Sequence, residues 1–315
     1  MKIIFENQEY EIKENTTIEE AFGEKLEEDI IAARYNNSIA SLNHKINKNG
    51  NIEWISRKEK DGRIIYIRGL LYIMSKAFYE LYPESRLTVN YQLSSAMFCE
   101  IENMEITQEI IDRVKAKMQE LIDCDLPIRK VEMSPQEAQE FYAKSDSIRG
   151  RLQADIGKEK VSLYFCEDYY NYFYGTMPIS TGFAKLFELS KFRNGFLVEY
   201  PSLIEPDKVV PKNCESLKIV SAMNEYDELY KLMKINTVYR LNKKIQEGKI
   251  KELILFSEAI HEKKIAEIAN KIKQKQNIRM ILIAGPTSSR KNNFCRKIRN
   301  GTSCSRHQTS DDFSG

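Results

Sequence analysis

The residues Gly285-Pro286-Thr287-Ser288-Ser289-Arg290-Lys291-Asn292 carry the side-chain types that can grip a phosphate. A phosphate-binding loop reads GxxxxGK(S/T) between a strand and a helix. Its glycines turn backbone N–H groups toward the phosphates. Its lysine reaches the β- and γ-phosphates, and its hydroxyl holds magnesium. Gly285 and Lys291 stand at their positions, but Arg290 replaces the second glycine and Asn292 replaces the hydroxyl. A side chain at 290 obstructs the phosphates. An amide carbonyl can meet magnesium without reproducing the hydroxyl geometry. One reading is a damaged loop whose ATP and Mg2+ contacts are Gly285, Pro286, Thr287, Ser288, Ser289, Lys291 and Asn292. The other is a solvated loop after an edge strand.

The elements around the loop sharpen the choice. Ile278 to Ala284 is a short, nearly continuous apolar run, which predicts a buried parallel strand. From 286 onward the only aliphatic residue is Ile298, too little for the sheet and helices such a strand packs against. One inserted base would account for both features. By codon degeneracy residues 290–295 can be encoded AGG AAA AAC AAC TTT TGC, and without its first base that string reads Gly-Lys-Thr-Thr-Phe-Ala.

Upstream, residues 1–57 predict a small β-grasp unit. Lys2 to Phe5 and Tyr10 to Ile12 flank a hairpin turn, Thr17 opens a short helix over 18–22, and strands follow at 30–35 and 51–55. Residues 58–220 predict a mixed α+β region. It has a buried helix over 70–81, strands at 87–89 and 97–101, and a helical face at Ile110, Ile111, Val114, Met118, Leu121 and Ile122. Ser134-Pro135-Gln136-Glu137 has the form of a helix start. The aromatic stretch 164–183 is mostly strand-like. Residues 221–276 predict a helical connector, and 277–315 the start of a further α/β domain.

Other chemistry is thinly represented. The six cysteines include no CxxC pair, so neither a disulfide framework nor a cysteine zinc site is expected. His44, His261 and His307 are far apart. The net charge of +2 does not point to nucleic acid or anionic membrane by itself. No apolar run approaches about 18 residues, and the sequence begins with no signal-peptide pattern, so a cytoplasmic protein with no membrane partner is expected.

Several stretches carry a family likeness: Asp125-Leu126-Pro127-Ile128, Asn171-Tyr172-Phe173-Tyr174-Gly175, Ser180-Thr181-Gly182, residues 258–269, and Ile283 to Ser289. Through them residues 1–289 resemble bacterial nucleoside kinases, similar to uridine kinase, that carry a TGS domain and a threonyl-tRNA-synthetase-like second domain. The resemblance implies ATP-dependent phosphoryl transfer to a nucleoside 5′-hydroxyl. Asp311 would be the base, because Thr309-Ser310-Asp311-Asp312-Phe313 resembles the family motif. It also implies that this chain, lacking most of the kinase domain, is inactive alone. The alternative is a non-catalytic module in which the first two domains bind RNA or a nucleotide.

In threonyl-tRNA synthetases the relative of the second domain hydrolyses mischarged tRNA with an HxxxH and a CxxxH pair. Here the matched positions are Tyr72, Lys76, Phe173 and Met177, so hydrolysis is not expected. Tyr169, Tyr170, Tyr172, Phe173 and Tyr174 either stack bases or form core and sheet surface. Lys263 and Lys264 either touch RNA phosphates or lie on a solvated helix face, and His261 is expected to be structural or solvated.

Overall fold

A computed structural model describes residues 1–102, 104–143, 159–210, 217–275, 277–285 and 291–303. The fold is mixed α+β, as expected. It divides into two units, Met1–Lys218 and Ile219–Gly315.

The first unit opens with the antiparallel hairpin β1 (Lys2–Phe5) and β2 (Gln8–Glu11). Its two-residue turn places Glu6 and Asn7 at φ 50° and 62°, the left-handed pair that matches strand twist. Thr17 caps α1 (Ile18–Phe22): the Glu20 N–H donates to Thr17 Oγ1, and the Thr17 N–H donates to Glu20 Oε2 at 2.8 Å. Strands β3 (Ile30–Tyr35) and β4 (Ser38–Ala40) are joined by a second left-handed pair, Asn36 and Asn37. Strand β5 (Gly50–Ser56) runs parallel to β1 and antiparallel to β3, giving the order β2-β1-β5-β3-β4. Ile3, Phe5, Ile18, Phe22, Ile46 and Ile52 form the core.

Helix α2 (Lys60–Leu81) starts ten residues before the expected boundary. Gly62 and the charged first turns mask it in the sequence. Yet Ile65, Tyr66 and Gly69 extend the buried stripe. Gly62 is required by space, since a Cβ there would lie 2.0 Å from the Ser56 carbonyl oxygen. Strands β6 (Arg86–Leu93) and β7 (Ala96–Glu102) pair, and α3 (Gln108–Asp123) follows. Then come β8 (Arg129–Met133) and α4 (Pro135–Ala143), the latter opened by the predicted Ser134–Glu137 capping box.

The aromatic stretch is only partly strand. It supplies β9 (Val161–Cys166) and β10 (Tyr169–Tyr172), and residues 173–187 then run as an irregular segment. With β11 (Glu188–Phe192) and β12 (Gly195–Glu199), the unit has two further sheets, β10-β9-β8 and β11-β12-β7-β6. Helices α2 and α3 pack on the four-stranded sheet, with Phe78 stacked on Phe196 at 5.5 Å.

The second unit contains α5 (Leu217–Leu232), α6 (Val238–Gln246), α7 (Ile250–Gln274) and α8 (Lys291–Ser303). The expected strand over 278–284 is absent: no described residue there has β structure, and Met280 and Leu282 are 76% and 87% exposed. An apolar run becomes a parallel strand only where neighbouring strands satisfy its backbone and helices cover both faces. No strand is described in this unit. No helix among the described residues is long and apolar enough to cross a membrane.

Candidate functional site

The four positions matched to hydrolytic groups converge. Tyr72 and Lys76 lie one turn apart on α2, and Phe173 and Met177 sit in the segment after β10. Tyr72 is fully buried, with its ring 5.7 Å from that of Phe173 and 5.2 Å from that of Tyr169. Met177, Ile128, Tyr164 and Cys166 complete the cluster.

The family-like stretches hold this arrangement in place. Thr181 Oγ1 accepts from the Leu126 N–H at 2.8 Å and donates to the Leu121 carbonyl at 2.5 Å. The Thr181 N–H donates to the Leu126 carbonyl, and the Gly182 N–H donates to Asp125 Oδ1 at 2.8 Å. Gly175 adopts φ 93°, which glycine alone accepts easily. Its carbonyl receives the Tyr164 hydroxyl at 2.6 Å, while Arg68 donates to the Thr176 carbonyl. Gly69 lets the segment close on α2, since a Cβ there would lie 2.4 Å from the Phe183 ring.

The ionisable groups of the cluster are shifted away from titration near neutral pH. Burial pushes the Tyr72 phenol far above its ordinary range, and its hydroxyl donates to the Tyr164 carbonyl at 3.0 Å. Burial pushes the Cys166 thiol up to about 11. Lys76 is fully buried, yet its Nζ lies 2.7 Å from Glu80, 3.0 Å from Glu167 and 3.7 Å from Asp168. Burial alone would lower its pKa; the Glu80 and Glu167 contacts outweigh burial and hold it above the ordinary value. Lys117 braces Glu80 from the other side at 2.9 Å. No imidazole, thiolate or neutral amine is available here. The carboxylate cage is a feature the sequence reading missed. Glu80 was accessible as the i,i+4 partner of Lys76, whereas Glu167 and Asp168 arrive only through the β9–β10 turn, where Glu167 has φ 55°.

Most of the aromatic stretch is internal. Tyr169 is buried and Tyr170, Tyr172 and Phe173 are half-buried, but Tyr174 is 76% exposed. On α2, Tyr79 is also exposed and packs against Tyr169 at 5.3 Å. A groove of about 610 Å3 in this unit is lined by Leu42, Ile122 and Phe183 with Glu28, Asp123, Asp125 and Lys185.

The phosphate-loop residues fall in the second unit. Lys291 opens α8, and its ammonium donates to the Gly285 carbonyl at 2.8 Å; Asn292 is the next helical residue. Pro286, Thr287, Ser288, Ser289 and Asp311 lie outside the described residues. A cavity of about 880 Å3 is lined by Gly285, Lys291 and Lys297 together with Glu258, His261 and Glu262. The Lys291 ammonium is turned to a backbone carbonyl, and carboxylates share the cavity. Among the described residues no group of three or more His, Cys, Asp or Glu is placed to hold a metal ion. Lys264 pairs with Glu225 at 2.5 Å and lies over the Tyr226 ring, and Lys263 faces Glu267 at 4.0 Å, a structural placement for both. His261 is exposed, and His44 packs against Tyr35 in the other unit.

No family model matches the chain. Among curated proteins it is similar to threonine–tRNA ligases. The ligase of Rubrobacter xylanophilus is 29% identical over 175 residues, 55% of this chain and 27% of that protein. The ligase of Aquifex aeolicus is 27% identical over 205 residues, covering 62% and 32%. That of Symbiobacterium thermophilum is 26% identical over 185 residues, covering 57% and 28%. The chain thus spans about a quarter to a third of the length of the curated relatives it matches. These relatives support a threonyl-tRNA-synthetase-like α+β region. They overturn the expectation of a uridine-kinase-like nucleoside kinase.

Proposed function

We propose that the chain is a non-hydrolytic RNA-binding module whose ligand is the unpaired end of a tRNA. In this reading residues 1–57 form a TGS-like β-grasp domain, 58–220 a synthetase second-domain-like region, and 221–276 a helical connector. The carrying observation is that Tyr72, Phe173 and Met177 share one packed cluster, with Lys76 one turn along α2. The scaffold that would hold hydrolytic groups is kept, while every group able to shuttle a proton or attack an ester is replaced. The relatives' names supply the ligand class. Exposed Tyr174 and Tyr79, at the margin of the cluster, supply faces on which unpaired bases stack.

The test is fluorescence anisotropy of a 3′-labelled tRNA titrated with the full chain. Saturable binding, weakened about tenfold by Tyr174→Ala, is expected, since one stacked base contributes about 1–3 kcal/mol. Binding unaffected by Tyr174→Ala and Tyr79→Ala would remove the site assignment. A parallel titration with labelled ATP tests the alternative nucleotide ligand. Saturation by ATP without tRNA binding would replace RNA as the ligand.

A further inference from the structure

Two cations on α2, Arg68 and Lys76, have opposite surroundings. Lys76 is enclosed by Glu80, Glu167 and Asp168. Arg68 lies about two turns earlier and is half-buried. Among the described residues no carboxylate pairs with it, and its hydrogen bond runs from Nη1 to the Thr176 carbonyl, one of five N–H donors used. Burial pushes its pKa below the ordinary value, and what opposes this is the Tyr164 phenol, not an acid.

The sequence explains the missing counter-charge. Residues 62–75 of α2 hold Arg63 and Arg68 and no acid, and residues 169–184 hold no charged residue. Residues 35–52, joined to that segment through Thr176 Oγ1 to the Ile39 carbonyl and Ser41 Oγ to the Met177 carbonyl, hold Lys45 and Lys48 and no acid. Glu132 acts on the Tyr164 phenol from β8, but it is bonded to Lys130 at 2.9 Å.

A cation held half out of water normally has an anionic partner. The Arg68 guanidinium lies against Gly175, where a Cβ would be 3.0 Å from Nη2 and 3.1 Å from Cζ. Gly175 is exposed and adjoins exposed Tyr174, so a cation and an aromatic face flank one glycine. A nucleotide presents the matching pair, a phosphate beside a flat base, and the planar fork of arginine suits phosphate oxygens.

We infer that Arg68 is a phosphate contact for RNA, gripping the backbone phosphate next to the base that stacks on Tyr174. The inference rests on the RNA-binding reading above and adds the residue that meets the backbone.

Anisotropy of the 3′-labelled tRNA with the full chain, repeated over a range of salt concentration, tests this. Arg68→Gln should weaken binding about tenfold and reduce the slope of log affinity against log salt by about 0.7, the value for one phosphate on a single strand. Arg68→Lys should keep the slope at an intermediate affinity, and Tyr174→Ala should lower affinity with the slope unchanged. On the unmutated chain phenylglyoxal should modify Arg68, and bound tRNA should protect it, as read by peptide mass mapping. Bound tRNA with a slope unmoved by Arg68→Gln overturns this inference alone. Absence of tRNA binding by the parent chain removes the RNA reading and the inference with it. An Arg68 that does not react in the free chain, or that inorganic phosphate protects at the same concentration as tRNA, also overturns it.

Discussion

The two units are built from similar fractions of apolar residue and use them in opposite ways. In the first, every sheet has a covered face, and bulky side chains such as Phe5, Tyr72, Phe98, Phe196 and Tyr200 are almost wholly enclosed. In the second, Leu232, Leu255, Met280 and Leu282 are all more than 60% exposed. Hydrophobic content therefore does not decide which part of a chain is self-sufficient; what decides is whether the neighbouring elements needed to cover it are present. The first unit supplies its own, down to the carboxylates that enclose Lys76. The second leaves several bulky apolar side chains exposed.

The largest expected effect separates the two cores. Phe196→Ala should cost the first unit about 3–5 kcal/mol in urea denaturation. Phe256→Ala should leave that transition within about 0.5 kcal/mol of the parent. Equal losses would erase the distinction between the units.

The next effect concerns the charge cage. Glu80→Ala should cost about 2 kcal/mol, less than a fully buried pair because Glu80 is one-quarter exposed and Lys76 retains Glu167. The pH dependence follows from the directions of the shifts. Burial opposes ionisation of Glu80, but its contacts to Lys76 and Lys117 prevail and lower its pKa from 4.5. Its stabilisation is thus present above 4.5 and lost as pH falls through the lower folded value. Lys76 is raised above 10.5, so its stabilisation is complete below 10.5 and lost as pH rises through the higher folded value. Melting temperatures of Glu80→Gln and the parent should therefore converge in acid. A constant gap down to pH 2 would contradict the assignment.

A smaller effect tests the local signals. Thr17→Ala should cost about 1 kcal/mol by removing the cap on α1. Thr17→Ser should recover most of it, as read by thermal melting.

These local signals were the most legible part of the sequence. The first hairpin turn, the Thr17 and Ser134 caps, and the apolar face of α3 each depend on residues within about four positions. The four replaced positions at Tyr72, Lys76, Phe173 and Met177 were also legible, through resemblance. What failed was non-local. The run 278–284 has strand composition, but a strand needs partners that no window of sequence contains. The phosphate-loop spacing at Gly285 and Lys291 carried the reading toward a kinase, while the similarity to threonine–tRNA ligases points elsewhere. The cage around Lys76 was hidden because Glu167 and Asp168 lie about 90 residues away, brought in by a hairpin turn.

The most direct test of the central claim follows the ester bond and the complex together. The full chain is incubated with threonyl-tRNA and with seryl-tRNA carrying a radiolabelled amino acid, and both filter retention and release of the free amino acid are counted. The account predicts saturable retention with release no faster than in buffer. Release above the buffer rate would contradict the inert cluster, and absence of retention would contradict RNA as the ligand.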